Sequence, residues 1–179
     1  MAVWGRWTML AVLLAASTLS AVAQDQAPER QVFQLPKGAY PHDVAPAPDS
    51  KVWYSAQQIG ALGILDPKTG QARHVPLGKG SAPHGVIPGP DGAAWLTDGG
   101  LNAIVRVDPA TEEIKRWPLP KGAGNANLNT AVFDRDGLLW FTGQTGFYGR
   151  LDPTTGEVKV WKAPRAAQPL SWPKTALMI

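Results

Sequence analysis

The chain has 179 residues, with 19 Gly, 17 Pro, 17 Lys+Arg and 14 Asp+Glu, for a formal charge of +3. So many turn formers exclude long helices and coiled coils, while 44% hydrophobic against 17% charged residues exclude a disordered polyelectrolyte and leave enough apolar material for a core. With no Cys there can be no disulfide, thiolate zinc site, cysteine nucleophile or c-type haem attachment, and the longest basic run, Lys115-Arg116, is too short for a nucleic-acid face.

Residues 1–23 read as a signal peptide. Arg6 supplies the positive charge, Met9 to Ala16 the apolar run, and Ala21-Val22-Ala23 the small-x-small pattern of a cleavage site after Ala23. The stretch from Trp7 to Ala23 is broken by Thr8, Ser17, Thr18 and Ser20 and falls short of the roughly 20 apolar residues that span a bilayer, so no stable membrane anchor is expected after cleavage. The expected destination is the periplasm or the exterior.

From residue 24 to 162 the sequence repeats. Trp53, Trp95 and Trp140 lie 42 and 45 apart in matching contexts, and an Asp-Pro turn follows each, at Asp66-Pro67, Asp108-Pro109 and Asp152-Pro153. Asp bonds its own backbone and Pro fixes φ, so these are tight turns. A second turn precedes each Trp, at Pro48-Asp49-Ser50, Pro90-Asp91-Gly92 and Arg135-Asp136-Gly137, and LP-type strand ends stand at Leu35-Pro36, Pro76-Leu77 and Leu119-Pro120. The units run about 33–73, 74–116 and 117–160, each predicted to hold four short strands; in the second unit these are 85–88, 93–98, 103–108 and 114–119. Such a unit is the signature of a β-propeller blade, with the Trp wedged between neighbouring sheets. The fold class is therefore all-β, as about three four-stranded blades. Three blades do not close a ring, so the chain reads as part of a longer propeller; the rival is a domain that self-associates through its open blade edge. Residues 163–179 show no unit pattern.

Residues 33–162 resemble the streptogramin B lyase (virginiamycin B lyase) family, whose units read PxGI, DGxxWFTE and NxIGRxDPxTGxxxxYPLP. The segment from Pro83 to Pro120, PHGVIPGPDGAAWLTDGGLNAIVRVDPATEEIKRWPLP, carries the resemblance most fully. It implies a seven-bladed propeller, of which three blades would be an inactive part, and a Mg²⁺-dependent C–O elimination that opens a cyclic depsipeptide ester without hydrolysis. In that family the base is a His in the PH position of a late blade, and a Glu fourteen residues on belongs to the magnesium site. Carried over by position, His84 takes the base slot and Asp98, ending WLTD and one methylene shorter than Glu, takes the metal slot. His42 also stands in a PH position, but Ala56 lies fourteen residues later, and the third unit has Asn129 and Gly143 in the two slots.

Each candidate has a plainer reading. His84 can be a polar side chain lining the central funnel, Asp98 can cap the Gly99-Gly100 turn as an Asx-turn, and His74 beside Arg73 reads as solvated on an outer strand. Two alternatives to the lyase follow: a non-catalytic propeller that binds a peptide, glycan or partner protein, and a gluconolactonase-type lactonase, for which Asp98, Asn127 and Asn129 could supply ligands. The expected small-molecule partner is a cyclic ester or lactone.

Overall fold

The computed structural model describes residues 30–164. The expected signal segment, 1–23, and residues 165–179 of the tail lie outside the described residues.

Twelve strands form three antiparallel sheets of four, each in simple sequence order. The first contains β1 (Pro41–Pro46), β2 (Val52–Ala56), β3 (Ala61–Leu65) and β4 (Ala72–Pro76). The second contains β5 (Pro83–Pro88), β6 (Ala94–Asp98), β7 (Ala103–Val107) and β8 (Ile114–Pro118). The third contains β9 (Leu128–Phe133), β10 (Leu139–Gly143), β11 (Phe147–Leu151) and β12 (Val158–Lys162). In the second unit the strands fall within two residues of the expected ones. The fourth strand of the first and second sheets crosses the repeat boundaries drawn at 73/74 and 116/117, because the strand continues to the Pro that ends it. Helix among the described residues is limited to two 3-10 turns, Gln57–Ile59 and Lys121–Ala123, and no helix there is long and apolar enough to cross a membrane.

The turns behave as their composition dictates. In each Asp-Pro turn the Asp carboxylate accepts the backbone N–H two residues on, from Lys68, Ala110 and Thr154 at 2.9, 2.9 and 2.8 Å. Its carbonyl accepts from Gly70, Glu112 and Gly156, the residues that reach positive φ. The turn before the third Trp stands at 135–137 as expected, and its anchoring carboxylate is Asp134, which takes the backbone N–H of Asp136 and Leu138 and the Trp140 indole N–H.

The sheets stack face to face through two apolar layers. Trp53, Leu62, Ile64 and Val75 of the first sheet pack on Val86, Leu96, Val105 and Val107 of the second. Trp95 and Ile104 of the second pack on Leu128, Leu139, Phe141 and Leu151 of the third. Thus Trp53, 1% exposed, and Trp95, 3% exposed, each fill the layer ahead of their own sheet, as expected of a wedge. Trp140 points the same way from the third sheet and is partly exposed, with Trp161 stacked at 6.2 Å and Arg150 over its ring at 6.0 Å. On the opposite face of the first sheet, Tyr54, Ala56 and Leu65 are covered by Phe33 and Leu35.

Volume is balanced across each central strand pair. Tyr54 faces Gly63, Leu96 faces Val105 and Phe141 faces Gly149 in register. A Cβ on Gly63 would come within 2.1 Å of the Tyr54 ring, so the large ring requires the glycine. In the middle sheet a smaller Leu leaves room for Val.

Replacing Trp53 by Ala should destabilise the protein by about 3–5 kcal/mol, the range for a fully buried large aromatic. Trp140→Ala should cost less than half as much, because among the described residues its ring is covered only by its own sheet. Urea midpoints of the two variants give the comparison, and equal losses would contradict directional stacking.

Candidate functional site

The first strands of the three sheets, β1, β5 and β9, lie side by side, and each departs from regular pairing at the same place. In β1 the register jumps between Pro41 and Val44, in β5 between Pro83 and Gly85, and in β10 opposite β9 between Phe141 and Gly143. Each bulge gives the inner strand one extra residue and turns its side chains away from the ladder. The residues so released are His42 and Asp43, His84, and Asn129 and Thr130. The three slots that the sequence aligned at His42, His84 and Asn129 are therefore three neighbouring bulges.

A hydroxyl two residues after Trp53 and another two after Trp95 each fix one bulge to the next sheet. Ser55 Oγ accepts the Asp43 N–H at 2.9 Å and donates to the His84 carbonyl at 2.7 Å. Thr97 Oγ1 accepts the Gly85 N–H at 2.9 Å and donates to the Asn129 carbonyl. Both are buried, at 0% and 1% exposure. Asp43 adds a third tie, its Oδ2 accepting the Val86 N–H at 3.1 Å. Gly85 permits the close approach: a Cβ there would sit 2.6 Å from the Asn129 carbonyl oxygen.

These ties bring the His84 and His42 rings together, with centroids 3.8 Å apart and planes inclined by 45°. On the other side Asn127 Nδ2 donates to Gln144 Oε1 at 3.0 Å, which turns the Gln144 amide so that its Nε2 meets His84 Nε2 at 3.2 Å. Read along this chain of donors, His84 Nε2 is an acceptor and the ring proton sits on Nδ1. Burial, and next the neighbouring His42, hold the His84 imidazole below its ordinary value of 6.5, against the opposing pull of Asp43 and the Asn129 backbone. A neutral imidazole with an available lone pair is the form that can accept a proton.

Asp98 lies elsewhere in the hairpin and is 0% exposed. Its Oδ1 accepts the backbone N–H of Ala82 and of Leu101, each at 2.9 Å, and its Oδ2 accepts from the Ser81 hydroxyl. The Leu101 bond closes the Gly99-Gly100 turn, and the Ser81 and Ala82 bonds tie the loop before β5 to it. No hydrogen bond joins it to His84 among the described residues, and no three His, Asp or Glu side chains among them converge as a metal-binding group. The residues described here therefore do not fit a magnesium site. His74 also departs from its solvated reading: its Nε2 pairs with the Tyr54 hydroxyl at 2.8 Å, and burial lowers its pKa. Sequence reasoning passed over Asp43, Ser55, Thr97 and Gln144. Ser55 and Thr97 carried a signal in the repeat period, since they and Thr142 all stand two residues after a Trp; Asp43 and Gln144 carried none.

Two outcomes are expected. Ser55→Ala and Thr97→Val each leave a buried N–H and a carbonyl without their bridge and should each cost about 1–3 kcal/mol in denaturant unfolding. Because the folded state disfavours protonated His84, the unfolded chain binds more protons near pH 6, so this contribution to stability is present above about 6.5 and lost as the pH falls below it. His74 acts with the same sign. Unfolding midpoints measured from pH 7.5 to 5.5 should fall, and His84→Gln should flatten the fall in part.

The sequence model of the virginiamycin B lyase family matches residues 10–172. No curated protein matches the chain. Among solved structures, the chain is similar to selenomethionine-substituted virginiamycin B lyase from Staphylococcus aureus, with 26% identity and a TM-score of 0.67 over 74% of this chain and 45% of that one. It is similar also to a catalytically inactive virginiamycin B lyase from Staphylococcus aureus with quinupristin, with 28% identity and a TM-score of 0.66 over 74% of this chain and 44% of that one. A streptogramin B lyase structure matches with 28% identity and a TM-score of 0.64, again over 74% and 44% of the two chains. The chain thus spans less than half the length of these lyases. Three sheets stacked through their Trp layers, inner-strand bulges at the PH positions and a match covering most of the sequence lead to one conclusion: the chain belongs to the virginiamycin B lyase family.

Proposed function

We propose that these blades form part of an exported lyase that opens a cyclic depsipeptide ester of the streptogramin B type by C–O elimination. The family match supports the reaction class, and the observation that carries a role for this chain is His84, held at a bulge against the Gln144 amide with burial disfavouring its protonated form. In such an elimination a base takes the proton from the carbon α to a carbonyl, a carbon–carbon double bond forms, and the adjacent C–O bond breaks with the ester oxygen leaving as carboxylate. No water is consumed. His84 is the base in this reading, Gln144 orients it, and burial, with His42 beside it, disfavours its protonated form. A divalent ion of the kind the family resemblance implies has no ligand set among the described residues, and no step is routed through one. Export rests on the pattern of residues 1–23.

A non-catalytic binding wall is the second reading, favoured by the three bonds that hold Asp98 against Ser81, Ala82 and Leu101 with none to His84 among the described residues. Incubating the complete propeller to which these blades would belong, and its His84→Ala variant, with a streptogramin B-type cyclic ester, with chromatography and mass measurement, separates the two. Ring opening at unchanged mass, lost in the variant, is the outcome expected of the lyase. Binding without opening, equal in both proteins, supports the binding wall. A product heavier by one water, or no interaction with the ester, overturns both.

A further inference from the structure

His84, Gln144 and Asn127 form a row of three polar side chains where the second and third sheets meet. Asn127 Nδ2 donates to Gln144 Oε1 at 3.0 Å, and Gln144 Nε2 reaches His84 Nε2 at 3.2 Å. An amide nitrogen only donates and an amide oxygen only accepts, so each bond has a fixed direction while the amides stay as they are. With His84 Nε2 unprotonated, the row runs from Asn127 through Gln144 to the imidazole. A proton on Nε2 sets donor against donor at the Gln144 contact. The backbones beneath the two amides are held: the Gln144 N–H donates to the Asn127 carbonyl at 3.0 Å, the Thr145 N–H to the Ala126 carbonyl at 3.3 Å, and the Asn127 N–H to Asn125 Oδ1 at 2.9 Å. Relief must therefore come from the amide groups themselves.

We infer that the row is a reversible relay: when His84 Nε2 takes up a proton, both amides turn over, His84 donates to Gln144 Oε1, and Gln144 Nε2 donates to Asn127 Oδ1. Both hydrogen bonds survive with their direction reversed. The terminal torsions of Asn and Gln are two-fold, so a half turn leaves each planar group in place with nitrogen and oxygen exchanged. Both side chains are exposed, so packing does not oppose the turn, and no described hydrogen bond reaches Asn127 Oδ1. The consequence appears at the rim. With His84 neutral, Asn127 presents its oxygen, an acceptor; with His84 protonated, it presents its NH₂, a donor. Asn127 is thus a positioning residue that acts on His84 through Gln144. Among the described residues, the titratable groups set against the His84 ring are His42 and Asp43 of the first sheet, while the third sheet offers the Asn129 carbonyl and the Gln144 amide. The Asp43 carboxylate is taken up by the Val44 and Val86 N–H groups and lies outside the row. The relay needs only a proton at Nε2, so it stands apart from the lyase reading.

The test is NMR of the side-chain amides and imidazole rings of the ¹⁵N-labelled chain, titrated from pH 7.5 to 5. The Asn127 and Gln144 NH₂ signals should move together, with one midpoint shared with the His84 ring and lying below 6.5. In Gln144→Leu the His84 ring should still titrate while the Asn127 signals stay fixed, a response that a merely structural Asn127 would not give. His84→Gln should abolish the movement of both amides, and His74→Gln should leave it as in the parent. Gln144 is exposed, so its replacement keeps the fold, and the His84→Gln titration decides independently of it. The inference is overturned by Asn127 signals that do not move in the parent, that follow a midpoint other than that of His84, or that still titrate in Gln144→Leu or His84→Gln.

Discussion

The structure depends on one constraint: a four-stranded sheet that is apolar on both faces must have each face covered by another sheet. The strands are only five or six residues long, too short to be stable as isolated hairpins. What holds them is the alternation of side chains across each strand. In β2 Trp53 faces forward into one layer while Tyr54 faces back into another, and in β6 Trp95 faces forward while Leu96 faces back. Stacking is therefore directional. The forward face always carries the indole, and the rear face of the next sheet receives it with aliphatic or Phe side chains.

Directional stacking alone would let one sheet slide on the next, since apolar contact has no orientation of its own. Ser55 and Thr97 remove that freedom. Each hydroxyl accepts from a bulged inner strand of one sheet and donates to a carbonyl of the next, in surroundings from which water is excluded. An unmade bond there would leave polar groups stranded, so the register of neighbouring sheets is set at their inner edge. The candidate site occupies that edge. Its geometry follows from the same bonds that align the blades, which is why His84 sits against His42 on one side and Gln144 on the other.

The repeat was legible because its markers do local work. The Asp-Pro turns fold by bonding their own backbone, and the Trp spacing reports a period that any self-similar sheet must keep. Glu112 shows how far the pattern tolerates exchange: it takes a positive φ where the other two turns place Gly70 and Gly156, and its side chain pairs with Arg73 of the preceding sheet. The site was legible only as slots. Positions 42, 84 and 129 could be aligned from the sequence, but not the contacts among them, because each contact crosses between sheets. Fourteen residues from His84 to Asp98 measures a path along one hairpin. In the folded hairpin Asp98 is registered with Pro83 and turns to the Ser81, Ala82 and Leu101 donors. Gln144 lies sixty residues from His84 and belongs to no motif.

The bulge explains why so uniform a scaffold can carry different chemistry in each blade. A regular inner strand would commit every second side chain to an apolar layer and pair the rest across the ladder. The extra residue frees one position from both duties without disturbing the Trp layer behind it. What stands there is then set by chemistry, not packing: an exposed imidazole at 42, a half-buried one at 84, an amide at 129. The two imidazoles differ although their slots match, because His84 has sheets on both sides, with Asn129 and Gln144 in reach, whereas His42 meets a described neighbour only on the side of the second sheet. Position in the stack thus tunes the side chain that the repeat supplies.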